Sequence, residues 1–114
     1  MTLWHVAFAT RVDAILRNGI VPEGTPRVVF AFTDHGDATR WAGWMQWAAS
    51  STDDFPRLVV IVEFDADPEV WEVVSDRTLD VPRSSMVLRN ARVPPTAIRQ
   101  AEVLVSALLS RLAS

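Results

Sequence analysis

Residues 58–64 read Leu-Val-Val-Ile-Val-Glu-Phe, with four consecutive β-branched positions between Leu58 and Phe64. A run this short and this apolar, closed by Asp65-Ala66-Asp67-Pro68, suits a β-strand rather than a helix. Such a strand belongs at the centre of a sheet, because unbroken apolar side chains point to both of its faces. The rest of the chain must therefore supply neighbouring strands and helices to cover the sheet.

Further segments along the chain fit that demand. Residues 3–9 (LWHVAFA) form a strand with His5 near its middle, followed by a two-turn helix with Thr10 as N-cap, apolar Val12, Ile15 and Leu16, and Gly19 as terminator. Residues 20–27, with two prolines and a glycine, are a loop. Residues 28–32 (VVFAF) are a second strand, buried on both faces. The segment Thr33-Asp34-His35-Gly36-Asp37 caps a helix over residues 38–49. That helix carries Trp41, Trp44 and Trp47 among alanines, a pattern so broadly apolar that it must be largely covered. Residues 69–74 suit either a short helix or an edge strand, and residues 86–90 a short strand. After Val93-Pro94-Pro95, the spacing of Ile98, Ala101, Val105, Leu108, Leu109 and Leu112 predicts a long helix over 96–112. Val103 and Leu104 beside that stripe suggest a self-association surface on this C-terminal helix.

At 114 residues, 49% of them hydrophobic and 22% charged, the chain fits one α+β domain spanning 1–114. With no cysteine, neither a disulfide framework, a thiolate metal site nor a cysteine nucleophile is available, and a reducing, cytoplasmic setting is expected. The sequence presents neither a secretory leader nor an apolar window long enough to span a bilayer. A formal charge of -3 argues against general nucleic-acid binding, and every one of the eleven basic residues is arginine.

The chemistry-bearing residues are few. His5 lies within a strand, where a lone histidine is more often a satisfied core residue than a ligand; His35 lies in a turn where a solvated capping role is the simpler reading. The spacing offers no metal-ligand set, no glycine-rich phosphate cradle and no nucleophile elbow. Glu63 interrupts an otherwise apolar strand, so it either stands on a face open to solvent or meets an arginine. The three tryptophans of the second helix are read as core or as an interface with a protein partner.

Taken in order, LWHV, AILRNGIVP, VVFAFTDHGDATRWA, LVVIVEFDAD and MVLRNARVPPTAI resemble the NAD-binding superfamily of ADP-ribosyltransferases and RNA 2'-phosphotransferases, in its histidine branch. Leu3-Trp4-His5 and Ile15-Leu16-Arg17-Asn18-Gly19-Ile20 match the opening strand and helix of that branch, Val29-Phe30-Ala31-Phe32 its second strand, and Val93-Pro94-Pro95 a late phrase. The resemblance covers residues 3 to about 100. It implies an ADP-ribosyltransferase-like split, mixed β-sheet with flanking helices, with NAD clamped between two half-sheets. It further implies His5 as anchor of a ribose hydroxyl, Phe30 as a platform for the nicotinamide ring, and Phe32 and Thr33 beside the cofactor. Glu63 or an arginine would be the charged partner, with Arg89 or Arg92 available to phosphate. Many transferring relatives place a glutamate just before the final strand; here that neighbourhood reads Arg83-Ser84-Ser85-Met86. Three readings follow: a degenerate phage or bacterial relative that binds NAD or inhibits a partner, an active ADP-ribosyl or 2'-phosphate transferase, or an unrelated α+β interaction domain.

Overall fold

The computed structural model describes residues 1–50, 58–74 and 80–104. Strand β1 (Thr2–Phe8) runs through a 3-10 turn (Ala9–Arg11) into helix α1 (Val12–Asn18), and a loop leads to β2 (Val28–Phe32) and helix α2 (His35–Ser50). Then come β3 (Val59–Asp65), the two-residue β4 (Glu72–Val73), β5 (Ser85–Arg89), a second 3-10 turn (Pro95–Ala97) and β6 (Ile98–Leu104). The strands form one six-stranded sheet in the order β4-β5-β2-β1-β3-β6. Of the two open readings for residues 69–74, an edge strand is what forms.

Strand β3 explains much of this arrangement. Val59, Val60, Ile61 and Val62 are all buried, so both faces of the strand need cover. Leu3, Val60, Val62 and Phe64 contribute to the core on the α1 side, together with Ile15, Ile20, Val29, Leu88 and Trp71. Val6, Phe32, Val59 and Ile61 face Ala38 and Ala42 of α2, whose small side chains let the helix sit close to the sheet. Gly19 ends α1 at φ 84°, ψ -175°, a backbone state open essentially to glycine alone. The chain then turns so that Ile20 and Val93 exchange two backbone hydrogen bonds of 2.9 Å each.

Several expectations are corrected. The sheet is not mixed: every neighbouring pair is antiparallel. Residues 98–104 are not helical but form β6 along the outer edge of β3, from Phe64↔Ile98 to Val59↔Leu104. The reason is tertiary, since the most apolar strand of the chain would otherwise leave one row of backbone groups unpaired. The same residues that read as a helical stripe also alternate, with Ala101 and Val103 on one face and Gln100 and Glu102 on the other. The C-terminal helix offered for self-association is therefore absent over 98–104, and residues 105–112 lie outside the described residues. Thr10 does not cap α1, whose N-cap is Arg11 without a side-chain bond. Nor is β2 buried on both faces, because Phe30 is 43% exposed. Helix α2 is covered only along its alanine side: Trp44 and Trp47 are 55% and 64% exposed.

Among the described residues, no helix is long and apolar enough to cross a membrane.

Candidate functional site

The sheet is joined unevenly. β1 pairs with β3 along its whole length, from Thr2↔Asp65 to Phe8↔Val59, and β2 pairs with β5 along all five residues. Between β1 and β2 the ladder has a single register pair, Trp4↔Phe32. Extending that register would set Val6 against Phe30 and Phe8 against Val28; those pairs do not form. The sheet is thus split into two half-sheets, β4-β5-β2 and β1-β3-β6, hinged at Trp4 and Phe32 and opening toward the end of β1.

The opening holds a cleft of about 600 Å³, within the size range of small-ligand sites. It is lined by His5, Phe8, Arg11, Asn18, Phe30 and Trp41, among others. His5 stands at its inner end. Its Nδ1 lies 2.6 Å from the carbonyl oxygen of Phe30, so a side chain satisfies a backbone group that the interrupted ladder leaves unpaired. Because a carbonyl only accepts, Nδ1 carries the proton in the neutral ring, and Nε2 is left as an acceptor. Burial against the cleft wall lowers the His5 pKa below its ordinary value, and the positive charge of Arg11 acts the same way. The Phe30 carbonyl opposes both, without reversing the direction. The imidazole is therefore neutral at pH 7, and its free nitrogen suits a hydroxyl donor.

The other expected site residues divide. Phe30 belongs to the cleft and also to a neighbouring groove of about 520 Å³ on the β4-β5-β2 half-sheet. Arg89 lines only that groove, and its Nε donates to Glu72 Oε2 at 2.9 Å. Phe32 is buried beneath α2, its ring 6.1 Å from that of Trp41. Thr33 is exposed, with its N–H bonded to the Ser84 carbonyl at 3.0 Å, outside the cleft. Arg92 donates to the Asn18 carbonyl at 3.3 Å. Glu63 is half-buried on β3, opposite Trp4 in the register. Since neighbouring residues of a strand point to opposite faces, Trp4 and Glu63 lie on the α2 side while His5 lies on the α1 side. The structure does not bring Glu63 and His5 together.

The first turn of α2, where a helix end ordinarily favours an anion, is already acidic. Asp34 Oδ1 accepts the Gly36 N–H at 2.9 Å, capping the helix as the sequence suggested. Asp37 accepts the Ser84 hydroxyl at 2.7 Å and pairs with Arg40. The Ser84 bond foremost, then the Arg40 bond, holds the Asp37 carboxyl below its usual pKa. Two carboxylates at this position repel an anion that the helix end would otherwise favour. His35, at the start of the same helix, has Nε2 3.4 Å from Glu102 Oε2 and its ring edge-on to Trp4, on the face of the sheet opposite His5.

Sequence reasoning missed Arg11, Asn18 and Glu23 as cleft residues. Arg11 and Glu23 form an ion pair at its mouth. Nothing in the spacing of a helix-start arginine and a loop glutamate announces that pairing; it exists because the split brings the end of β1 opposite the start of β2.

No family model, curated protein or solved structure matches this chain.

Proposed function

We propose that this protein binds a ribonucleoside-containing ligand, with NAD the expected one, in the cleft between its half-sheets. On this reading it is a degenerate relative of the ADP-ribosyltransferase and RNA 2'-phosphotransferase superfamily that binds without efficient transfer. The observation that carries the reading is His5: a neutral imidazole with Nδ1 tied to a backbone carbonyl presents one acceptor of defined direction inside a split sheet. A ribose hydroxyl is the donor that such an acceptor suits. The donor set fits the dinucleotide further through Phe30, an exposed ring for stacking, Asn18 for polar edges and Arg11 for phosphate charge. NAD, when bound, would supply an activated ADP-ribosyl group with nicotinamide as leaving group.

Degeneracy is supported by the placement of carboxylates. Among the described residues lining the cleft, Glu23 is the single carboxylate, and it is paired with Arg11. A group that stabilises developing positive charge on the ribose must face the reacting carbon, and losing one commonly costs orders of magnitude in rate. Glu63 on the opposite face of the sheet does not fill that role.

Titration with NAD tests the proposal, followed by tryptophan fluorescence because Trp41 lines the cleft. A saturable change that disappears in His5→Ala is expected. A flat titration at millimolar NAD, confirmed by calorimetry, would remove it.

A second reading is supported by the exposed indoles of Trp44 and Trp47, which favour a protein partner on the outer side of α2. It does not compete for the cleft, and a protein that inhibits or delivers a partner would use both surfaces.

A further inference from the structure

We propose that Arg11 is the anion-binding residue of the cleft and Glu23 its resident counter-ion, so that a phosphorylated ligand binds by taking Arg11 from Glu23. The inference rests on the reading of the cleft as a ribonucleoside site and names the part of the ligand that reading leaves open. Three observations support it. Among the described residues lining the cleft, Arg11 is the single cation, since His5 is neutral. The arginines the resemblance offered are placed elsewhere: Arg89 is tied to Glu72 in the neighbouring groove, and Arg92 to the Asn18 carbonyl. The alternative anion site, the first turn of α2, carries Asp34 and Asp37.

The pair is built to bridge the split. Arg11 sits in the 3-10 turn directly after β1, on one half-sheet. Glu23 is held on the other, because its N–H and carbonyl exchange two hydrogen bonds of 3.1 Å with Val28, the first residue of β2. Their ion pair therefore closes the mouth of the cleft where the two strands have diverged. Both side chains are more than half exposed, and exposed ion pairs of this kind are weak. A phosphate or pyrophosphate offers the guanidinium fork a stronger, two-pronged partner of the same sign as Glu23. Exchange of one anion for the other opens the mouth and leaves the Arg11 charge satisfied throughout. The same charge helps keep His5 neutral, so the phosphate and ribose positions are coupled through one side chain.

Calorimetric titration of wild type, Arg11→Gln and Glu23→Gln with inorganic pyrophosphate, ADP-ribose and phosphate-free adenosine tests the exchange. Glu23→Gln is expected to tighten pyrophosphate and ADP-ribose about five- to tenfold, because the competitor is gone. Arg11→Gln is expected to weaken both about tenfold or more, and adenosine should bind all three proteins alike. Pyrophosphate and ADP-ribose affinities that ignore both substitutions would overturn the inference, as would adenosine losses as large as those of ADP-ribose. If adenosine binds in a His5-dependent way while pyrophosphate ignores Arg11, the ribonucleoside reading stands and this inference falls. If pyrophosphate binding depends on Arg11 while adenosine does not bind, the ribonucleoside reading falls and the anion site stands. Absence of binding by all three probes overturns both.

Discussion

The imidazole Nδ1 of His5 sits 2.6 Å from the carbonyl oxygen of Phe30, across the point where the strands carrying them stop pairing. One side chain thus closes the inner end of the split and presents Nε2 to the cleft. On the proposed reading that nitrogen is the ligand's anchor, and substitution of His5 tests it.

His5→Ala should weaken binding of NAD or ADP-ribose by about 1 to 3 kcal/mol, the range for a buried hydroxyl left without its acceptor. His35→Ala should change affinity little, because His35 lies on the other face of the sheet beside Trp4 and Glu102. Calorimetry on both variants, with circular dichroism to confirm folding, checks the asymmetry; equal losses would count against a ribose anchor.

The lowered pKa of His5 predicts a pH dependence of definite sign. The unfolded chain takes up the His5 proton near the ordinary value of about 6.5, whereas the folded protein does so only at lower pH. The stability this contributes is complete above that ordinary value and is lost as pH falls through the folded pKa. Urea unfolding of wild type and His5→Asn across pH 4.5 to 8 should show the difference between them shrinking toward acid. Ligand affinity should fall over the same window, since a protonated Nε2 no longer accepts.

Gly19→Ala should destabilise the protein by about 2 to 5 kcal/mol, combining the cost of a glycine-only backbone state with overpacking. A Cβ at this position would collide with the Val93 carbonyl oxygen, which accepts the Ile20 N–H. Thermal or chemical denaturation reads the effect directly, and a change within about 0.5 kcal/mol would show that the turn relaxes freely.

The tryptophans should separate by position. Trp71 is buried with its ring 5.5 Å from that of Phe64, so Trp71→Ala should cost about 3 to 5 kcal/mol. Trp47→Ser, at an exposed site, should stay within about 0.5 kcal/mol. A large loss at Trp47 would mean that the indole is covered in the native protein, as a partner or second copy would cover it.

Ser85 is 1% exposed, and its hydroxyl has no hydrogen-bond partner among the described residues. Ser85→Ala should therefore be neutral or stabilising by up to about 1 kcal/mol, since removing an unsatisfied buried group removes its desolvation cost. Clear destabilisation in a denaturation series would reveal a bond to this hydroxyl in solution.

The sequence by itself determined the strand at 58–64, the opening strand with His5, the turn at Gly19, the capped second helix and the strands at 28–32 and 86–90. Each rests on a local signal: a run of β-branched residues, a helix terminator, an Asp34-His35-Gly36 cap. Tertiary structure decided the remainder. Residues 98–104 have a periodicity that serves helix and strand alike, and the unpaired edge of β3 selected the strand. Glu63 and His5 look equally available along the chain, yet the register Trp4↔Glu63 sends them to opposite faces. Arg11 and Glu23 carry no shared signal, because their meeting depends on two strands parting after Trp4↔Phe32. Periodicity records which way a side chain points relative to its own strand or helix; which strand lies alongside, and where the ladder stops, is set by non-local pairing that no window of sequence contains.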